Sequence, residues 1–167
     1  PDGAYETFVE QNRSWLEDYA LFTALKDTLG GKPWLEWPEA LRLRKADALA
    51  EKRRELSEEI RLQFFAQYEF DKQWKALRSY ANAKGVRIIG DVPIYVPLDS
   101  ADVWANPELF QLDESRHPEQ VAGCPPDSFT ADGQLWGNPI YDWKKMAQTH
   151  YFWWIQRLTA AGKLYDV

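Results

Sequence analysis

The sequence predicts a helix-rich α/β fold containing one αβ step of a parallel sheet or barrel, and three observations carry that prediction. Apolar residues recur at helical spacing over Tyr5–Leu29 and again from about Glu39 to Lys84. Gly85 then precedes the β-branched run Val86–Gly90, which reads as a short buried strand. After a long loop punctuated by Pro and Gly, an amphipathic pattern from Asp142 leads into Leu164–Val167, which looks like the start of another strand. Helices, strand, long loop, helix and an unfinished strand do not close a sheet, so the order is that of a piece of something larger.

Composition bounds the classes to consider. At 167 residues, with 45% hydrophobic and 28% charged residues, the chain can bury a core as one globular unit. A net charge of −6, from 20 basic and 26 acidic residues, argues against a nucleic-acid partner. No apolar run approaches the roughly 20 residues of a membrane span, and the start carries no signal-peptide pattern. A single cysteine, Cys124, excludes an internal disulfide and fits a reducing compartment, so a cytoplasmic location is expected. His117, His150 and Cys124 lack ligand spacing, and neither a metal nor another cofactor is expected. Nine Trp exceed what a small core can bury fully, so several should stand half exposed.

Taken in order, Trp15, Tyr19, Phe22, Leu25 and Leu29 form one face of the first helix, which Gly30-Gly31 stops. Pro33 and Pro38 frame a loop carrying Trp34 and Trp37. Leu56, Ile60, Phe64 and Tyr68 recur every four residues, continued by Trp74, Leu77 and Ala81. The charged run from Glu51 to Arg61 reads as a solvated face, with Arg54 and Glu58 paired at four residues' spacing. Between Pro93 and Tyr141 only short elements are expected, among them a helical turn over Ser100–Ala105 capped by Asp99 or Ser100. Asp99, Ser100 and Asp102 lack EF-hand spacing, and a cap cluster accounts for them better than a metal. The last helix runs from Asp142 to about Ala161, with a break near Thr149 and an end at Gly162.

The chemistry concentrates in two islands, VRIIGDVPIYVPLDSADVWANPELF (Val86 to Phe110) and AGCPPDSFTADGQLWGNPIYDW (Ala122 to Trp143). Asp91 follows the strand directly, where a carboxylate can accept hydrogen bonds from sugar hydroxyls or orient a neighbouring Arg; the alternative is a turn cap before Pro93. Two prolines stiffen the loop that exposes Asp127 and Phe129, and Trp136 stands between glycines. A pyranose stacks its C–H face on an aromatic ring while its hydroxyls find Asn138, Gln134 or Asp127. The competing reading is that Trp136 plugs the loop onto the fold.

IIGDVPIYVPLDSADVWANPELFQLD, VAGCPPDSFTADGQLWGNPIYDW and the upstream WLEDYALFTALK and GGKPW resemble the amylomaltase family over about Trp15 to Val167. These are the 4-α-glucanotransferases, or disproportionating enzymes, of the α-amylase clan. The resemblance implies a partial (β/α)8 barrel: residues 1–85 a helical part, 86–98 a barrel strand and its exit, 99–141 a substrate-cleft loop, and 142–167 a helix and the start of the next strand. It implies transfer of maltooligosaccharide units between α-1,4-glucans by a retaining double displacement. Asp91 then matches a donor-site aspartate, Gly123 to Phe129 a mobile covering loop, and Trp136 an acceptor-stacking tryptophan beside Asn138. Ser128 stands where many relatives carry an aromatic. The resemblance places the nucleophile in a strand reading roughly Arg-Ile-Asp-His-Phe, after the segment matching Leu164 to Val167, and the acid/base later still. The expected catalytic residues in this segment are therefore none, the expected partners are α-1,4-glucans and the remainder of the barrel, and the segment alone is expected to be inactive. A non-catalytic glucan-binding module and a helical interaction protein built on Tyr5–Lys84 remain competing readings.

Overall fold

A computed structural model describes residues 3–167. Helix α1 (Ala4–Thr28) ends where Gly30 and Gly31 take left-handed backbone, at φ 71° and 76°, which glycine adopts without strain. Its Leu21, Phe22 and Leu25 enter the core, whereas Trp15 of the expected face is exposed. A 3-10 turn at Trp34–Glu36 follows, and both Trp34 and Trp37 are buried. The pattern from Glu39 onward resolves into three helices, α2 (Glu39–Arg42), α3 (Ala46–Glu55) and α4 (Ser57–Ala83). Leu56 lies at the break between α3 and α4, with φ −101° and ψ 27°. The break separates Arg54 from Glu58, so the expected pair does not form; Glu58 pairs instead with Arg61, and Lys52 with Glu55.

Aromatic packing organises the core. Phe22, Trp37 and Trp104 meet pairwise at ring centroids 5.3–5.8 Å apart. Each buried indole places its N–H: Trp34 on the Leu98 carbonyl (2.7 Å), Trp37 on Lys32 (3.0 Å) and Trp104 on Leu41 (3.0 Å). Truncating one such ring costs about 3–5 kcal/mol. The nine tryptophans divide as the composition requires, with Trp15, Trp136 and Trp143 exposed. Tyr5 and Phe8 of α1 pack on Tyr68 of α4, while Leu62, Phe70, Leu77 and Tyr80 of α4 remain uncovered.

The buried strand expected at Val86–Gly90 is not formed as a ladder, and Ile89 is 77% exposed. What survives is a short pairing. Val167 donates to the Ile88 carbonyl and accepts from the Gly90 amide, bonding two residues that flank Ile89, as parallel neighbours do. Two or three residues with one partner cannot sustain a strand, and no other described segment covers Ile89. A Cβ at Gly90 would overlap the Tyr165 ring, so the close approach depends on glycine. Asp166 clips the arrangement together, accepting from the Ile88 amide (2.8 Å), the Asn82 side chain (2.8 Å) and Arg78 (2.7 Å). These bonds, the backbone amide foremost, lower its pKa to about 2.

Helix α5 (Ala101–Ala105) is capped by Ser100, whose hydroxyl accepts from the Val103 amide. Asp99 instead bonds the Trp34 amide and Lys26. A 3-10 turn, Pro107–Leu109, then leads to a β-hairpin where the sequence predicts only a loop. Its strands, β1 (Val121–Cys124) and β2 (Gln134–Pro139), pair antiparallel and make a two-stranded sheet. Asp142 caps α6 (Trp143–Gln148) through the amides of Lys144 and Lys145. The chain breaks at His150 and Tyr151, both at positive φ, and α7 (Phe152–Leu164) runs past Gly162, where an end was expected. A glycine at an exposed helical position weakens a helix by about 1 kcal/mol, which is not enough to stop it. The architecture is therefore helix-rich with a small antiparallel sheet. No helix among the described residues is long and apolar enough to cross a membrane.

Candidate functional site

The hairpin carries four of the five expected residues, Asp127, Phe129, Trp136 and Asn138. Pro125 and Pro126 leave β1, and a nine-residue connection returns to β2 through Asp132-Gly133. Gly133 takes φ 72°, and a Cβ there would lie 2.6 Å from the Cys124 carbonyl oxygen, so glycine lets the two ends approach. At the tip, Asp127 closes a turn on itself. One carboxylate oxygen accepts from the amides of Phe129 and Thr130, both at 2.8 Å. The Thr130 amide first, and the Phe129 amide second, hold this carboxyl below the usual carboxylate range. Phe129 projects from that turn and is 91% exposed.

Trp136 sits in the middle of β2. Its indole is 50% exposed, and its N–H donates to the Gln134 side-chain oxygen (2.8 Å), two residues away on the same face of the strand. Behind it stands Tyr95, with ring centroids 6.3 Å apart. Gly137 follows at φ 79°, and Asn138 then turns inward to donate its side-chain amide to the Val96 carbonyl (2.9 Å). The buried Tyr141 donates its hydroxyl to the Ile94 carbonyl (2.8 Å), and burial pushes its phenol above the usual range, so it remains a donor.

The five residues expected at the site fall into three groups. Trp136 and Asn138 share β2 and both touch the segment after Asp91. Asp127 and Phe129 share the hairpin tip. Asp91 is exposed and makes no hydrogen bond or ion pair among the described residues, so it caps no turn before Pro93. Two grooves lie elsewhere: one of about 430 Å³ is lined by Arg78, Arg87 and Asp166, and one of about 1100 Å³ lies between α1 and α4. The expected residues thus share no single pocket: a half-exposed indole stands on β2, an exposed phenyl ring at the hairpin tip, and an exposed carboxylate at Asp91. No group of three or more His, Cys, Asp or Glu among the described residues could hold a metal. Sequence reasoning missed Tyr95 and Tyr141 as supports. Asp132-Gly133, a dipeptide that favours hairpin turns, was the available signal for the strands.

Comparison with known proteins bears on what such a face serves. Residues 1–167 match a family model described as 4-alpha-glucanotransferase. The 4-alpha-glucanotransferase of Clostridium butyricum is 46% identical over 167 residues, covering 99% of this chain and 34% of that protein. That of Thermus thermophilus is 50% identical over 164 residues, covering 98% and 33%. The structure superposes on an amylomaltase from Streptococcus agalactiae in complex with acarbose, with a TM-score of 0.91 and 47% identity over 97% of this chain and 33% of the other. The chain spans about a third of the length of these relatives. Matched along its whole length, the chain belongs to the 4-alpha-glucanotransferase family.

Proposed function

We propose that residues 1–167 form one portion of a cytoplasmic 4-α-glucanotransferase, the portion that presents an acceptor-side sugar surface of the cleft. The observation that carries this reading is Trp136, a half-exposed indole on β2 in a chain of this family. An aromatic face there stacks the C–H face of a glucose unit, with Phe129 closing over it from the loop tip and Asn138 and Asp91 accepting from hydroxyls. A stacked sugar puts a hydroxyl where water would otherwise attack, which favours transfer over hydrolysis.

In this reading the parent enzyme works by retaining double displacement, which needs a carboxylate nucleophile and a separate acid/base. Asp127 is committed to its own turn and suits neither role. Both catalytic groups are assigned to parts of the parent outside residues 1–167. The architecture is read as part of a (β/α)8 barrel, with residues 1–85 a helical part, 86–98 a strand and its exit, 99–141 the cleft loop, and 142–167 a helix and the next strand. Support comes from apolar side chains left uncovered on several elements, including Leu77, Ile89, Ile94, Phe152, Ile155 and Val167. Clusters of this kind mark surfaces meant for a partner, here the remainder of the barrel.

The test is a pair of measurements on the 167-residue chain. Calorimetry with maltoheptaose should show saturable binding, and incubation with maltotriose should release no glucose and build no longer chains. Turnover would refute the placement of the catalytic pair. Absence of binding would refute the sugar surface.

A further inference from the structure

Three consecutive residues, Ile94 to Val96, receive contacts from β2 and from Tyr141 just beyond it. The Ile94 carbonyl accepts from the Tyr141 hydroxyl (2.8 Å). The Tyr95 ring meets the Trp136 indole (6.3 Å between centroids, 56° between planes). The Val96 carbonyl accepts from Asn138 (2.9 Å). Of these, only the middle contact touches the exposed indole. The face of Tyr95 itself is set by Tyr141, stacked at 5.9 Å with planes 12° apart. Tyr141 is 1% exposed and packs on Phe110, Trp153 and Trp154, so it is fixed by the core.

We propose that Tyr95 is a positioning residue for Trp136, transmitting the orientation of the buried Tyr141 to the exposed indole and setting the angle at which it meets a sugar. The proposal rests on the reading of Trp136 as a sugar-stacking surface and goes beyond it by naming what aims that surface. The physical case concerns what would otherwise hold Trp136. Its side chain has one hydrogen bond, to Gln134, whose own side chain is exposed and two residues away on the same strand. A single bond between two surface side chains leaves the indole free to rotate about its first two side-chain torsions. Gly137, at φ 79°, adds no side chain beside it. A tilted aromatic pair backed by a stacked ring removes that freedom in advance, and removing it before a ligand arrives strengthens binding. The ring carries this role and the phenol hydroxyl does not, because the Tyr95 hydroxyl makes no hydrogen bond among the described residues.

The experiment follows the nine indole N–H resonances of the full chain by two-dimensional NMR, with Trp136 assigned by its loss in Trp136→Phe. In Tyr95→Leu, without sugar, the Trp136 resonance should move or broaden while those of the buried Trp34 and Trp37 stay. Maltoheptaose affinity should fall roughly twofold to tenfold, the range of one aromatic pair. Tyr95→Phe should restore both. An unmoved Trp136 resonance and unchanged affinity in Tyr95→Leu would overturn the proposal. Failure of Tyr95→Phe to rescue would also overturn it. A second measurement needs no variant: cross-relaxation between Tyr95 ring and Trp136 indole protons in the unsubstituted chain should be observed, and its absence would overturn the contact. If maltoheptaose leaves Trp136 unmoved in the unsubstituted chain, the sugar-surface reading falls by itself. The sugar-free spectra would still decide whether Tyr95 holds the indole.

Discussion

Trp136→Ala is the substitution whose cost can be worked from the structure. The residue is 50% exposed, so about half of a surface of roughly 250 Å² remains available to a ligand. A sugar covers one face of the ring, roughly 60 Å². At about 25 cal/mol per Å², covering it is worth ~1.5 kcal/mol, or about tenfold in Kd. Folding should be almost untouched, because the indole contributes one partial ring contact and one surface hydrogen bond. The assay is calorimetric titration of maltoheptaose into the chain and its variant, with urea unfolding of both as the control. A Kd about tenfold weaker at unchanged unfolding midpoint is the expected result. An unchanged Kd would refute the stacking role. A large drop in stability would refute it differently, by showing that Trp136 plugs the loop onto the fold. In the intact parent, the same change should damage transfer more than hydrolysis, since water needs no stacking surface.

Tyr141→Phe should lower stability by about 1–2 kcal/mol, because it leaves the Ile94 carbonyl without its donor; urea unfolding reads this, and a change below a few tenths would refute the anchoring role. Gly90→Ala should disrupt the pairing of Ile88 and Gly90 with Val167, since a Cβ would overlap the Tyr165 ring. Amide exchange at Asp166 and Val167 should then accelerate, and unchanged protection would count against the close approach. Asp166 gives a pH signature. Its folded pKa, about 2, lies below the unfolded value near ~3.9, so its contribution is fully present above the unfolded value and fades as pH falls toward 2. Asp166→Asn should destabilise the chain at neutral pH and flatten the dependence of stability on pH between about 4 and 2. An unchanged slope would mean that other carboxylates dominate acid unfolding.

How much of this was legible in the sequence divides along a physical line. Local rules performed well at several chain punctuation points, though not at Gly162, which α7 runs past. The glycine stop at Gly30-Gly31, the Ser100 cap, the helix start at Asp142 and the break near Thr149 all involve groups a few residues apart. The expectation of half-exposed tryptophans needed only a count against the size of a core. Failures came where a neighbour decides. Arg54 and Glu58 have the right spacing, but Leu56 interrupts the helix that the spacing assumes. Val86–Gly90 has the composition of a buried strand, yet burial and a full ladder require partners on both sides. The hairpin was hidden for the opposite reason: β2 is almost wholly exposed and has no alternation of apolar and polar residues to read. At the candidate site, the exposure of Asp91, Asp127, Phe129 and Trp136 was legible because charged and aromatic groups in a Pro- and Gly-rich loop run over the surface. The supports Tyr95 and Tyr141 were not, because a tyrosine in an apolar stretch reads as core, and only the fold shows which core residue stands behind an exposed one.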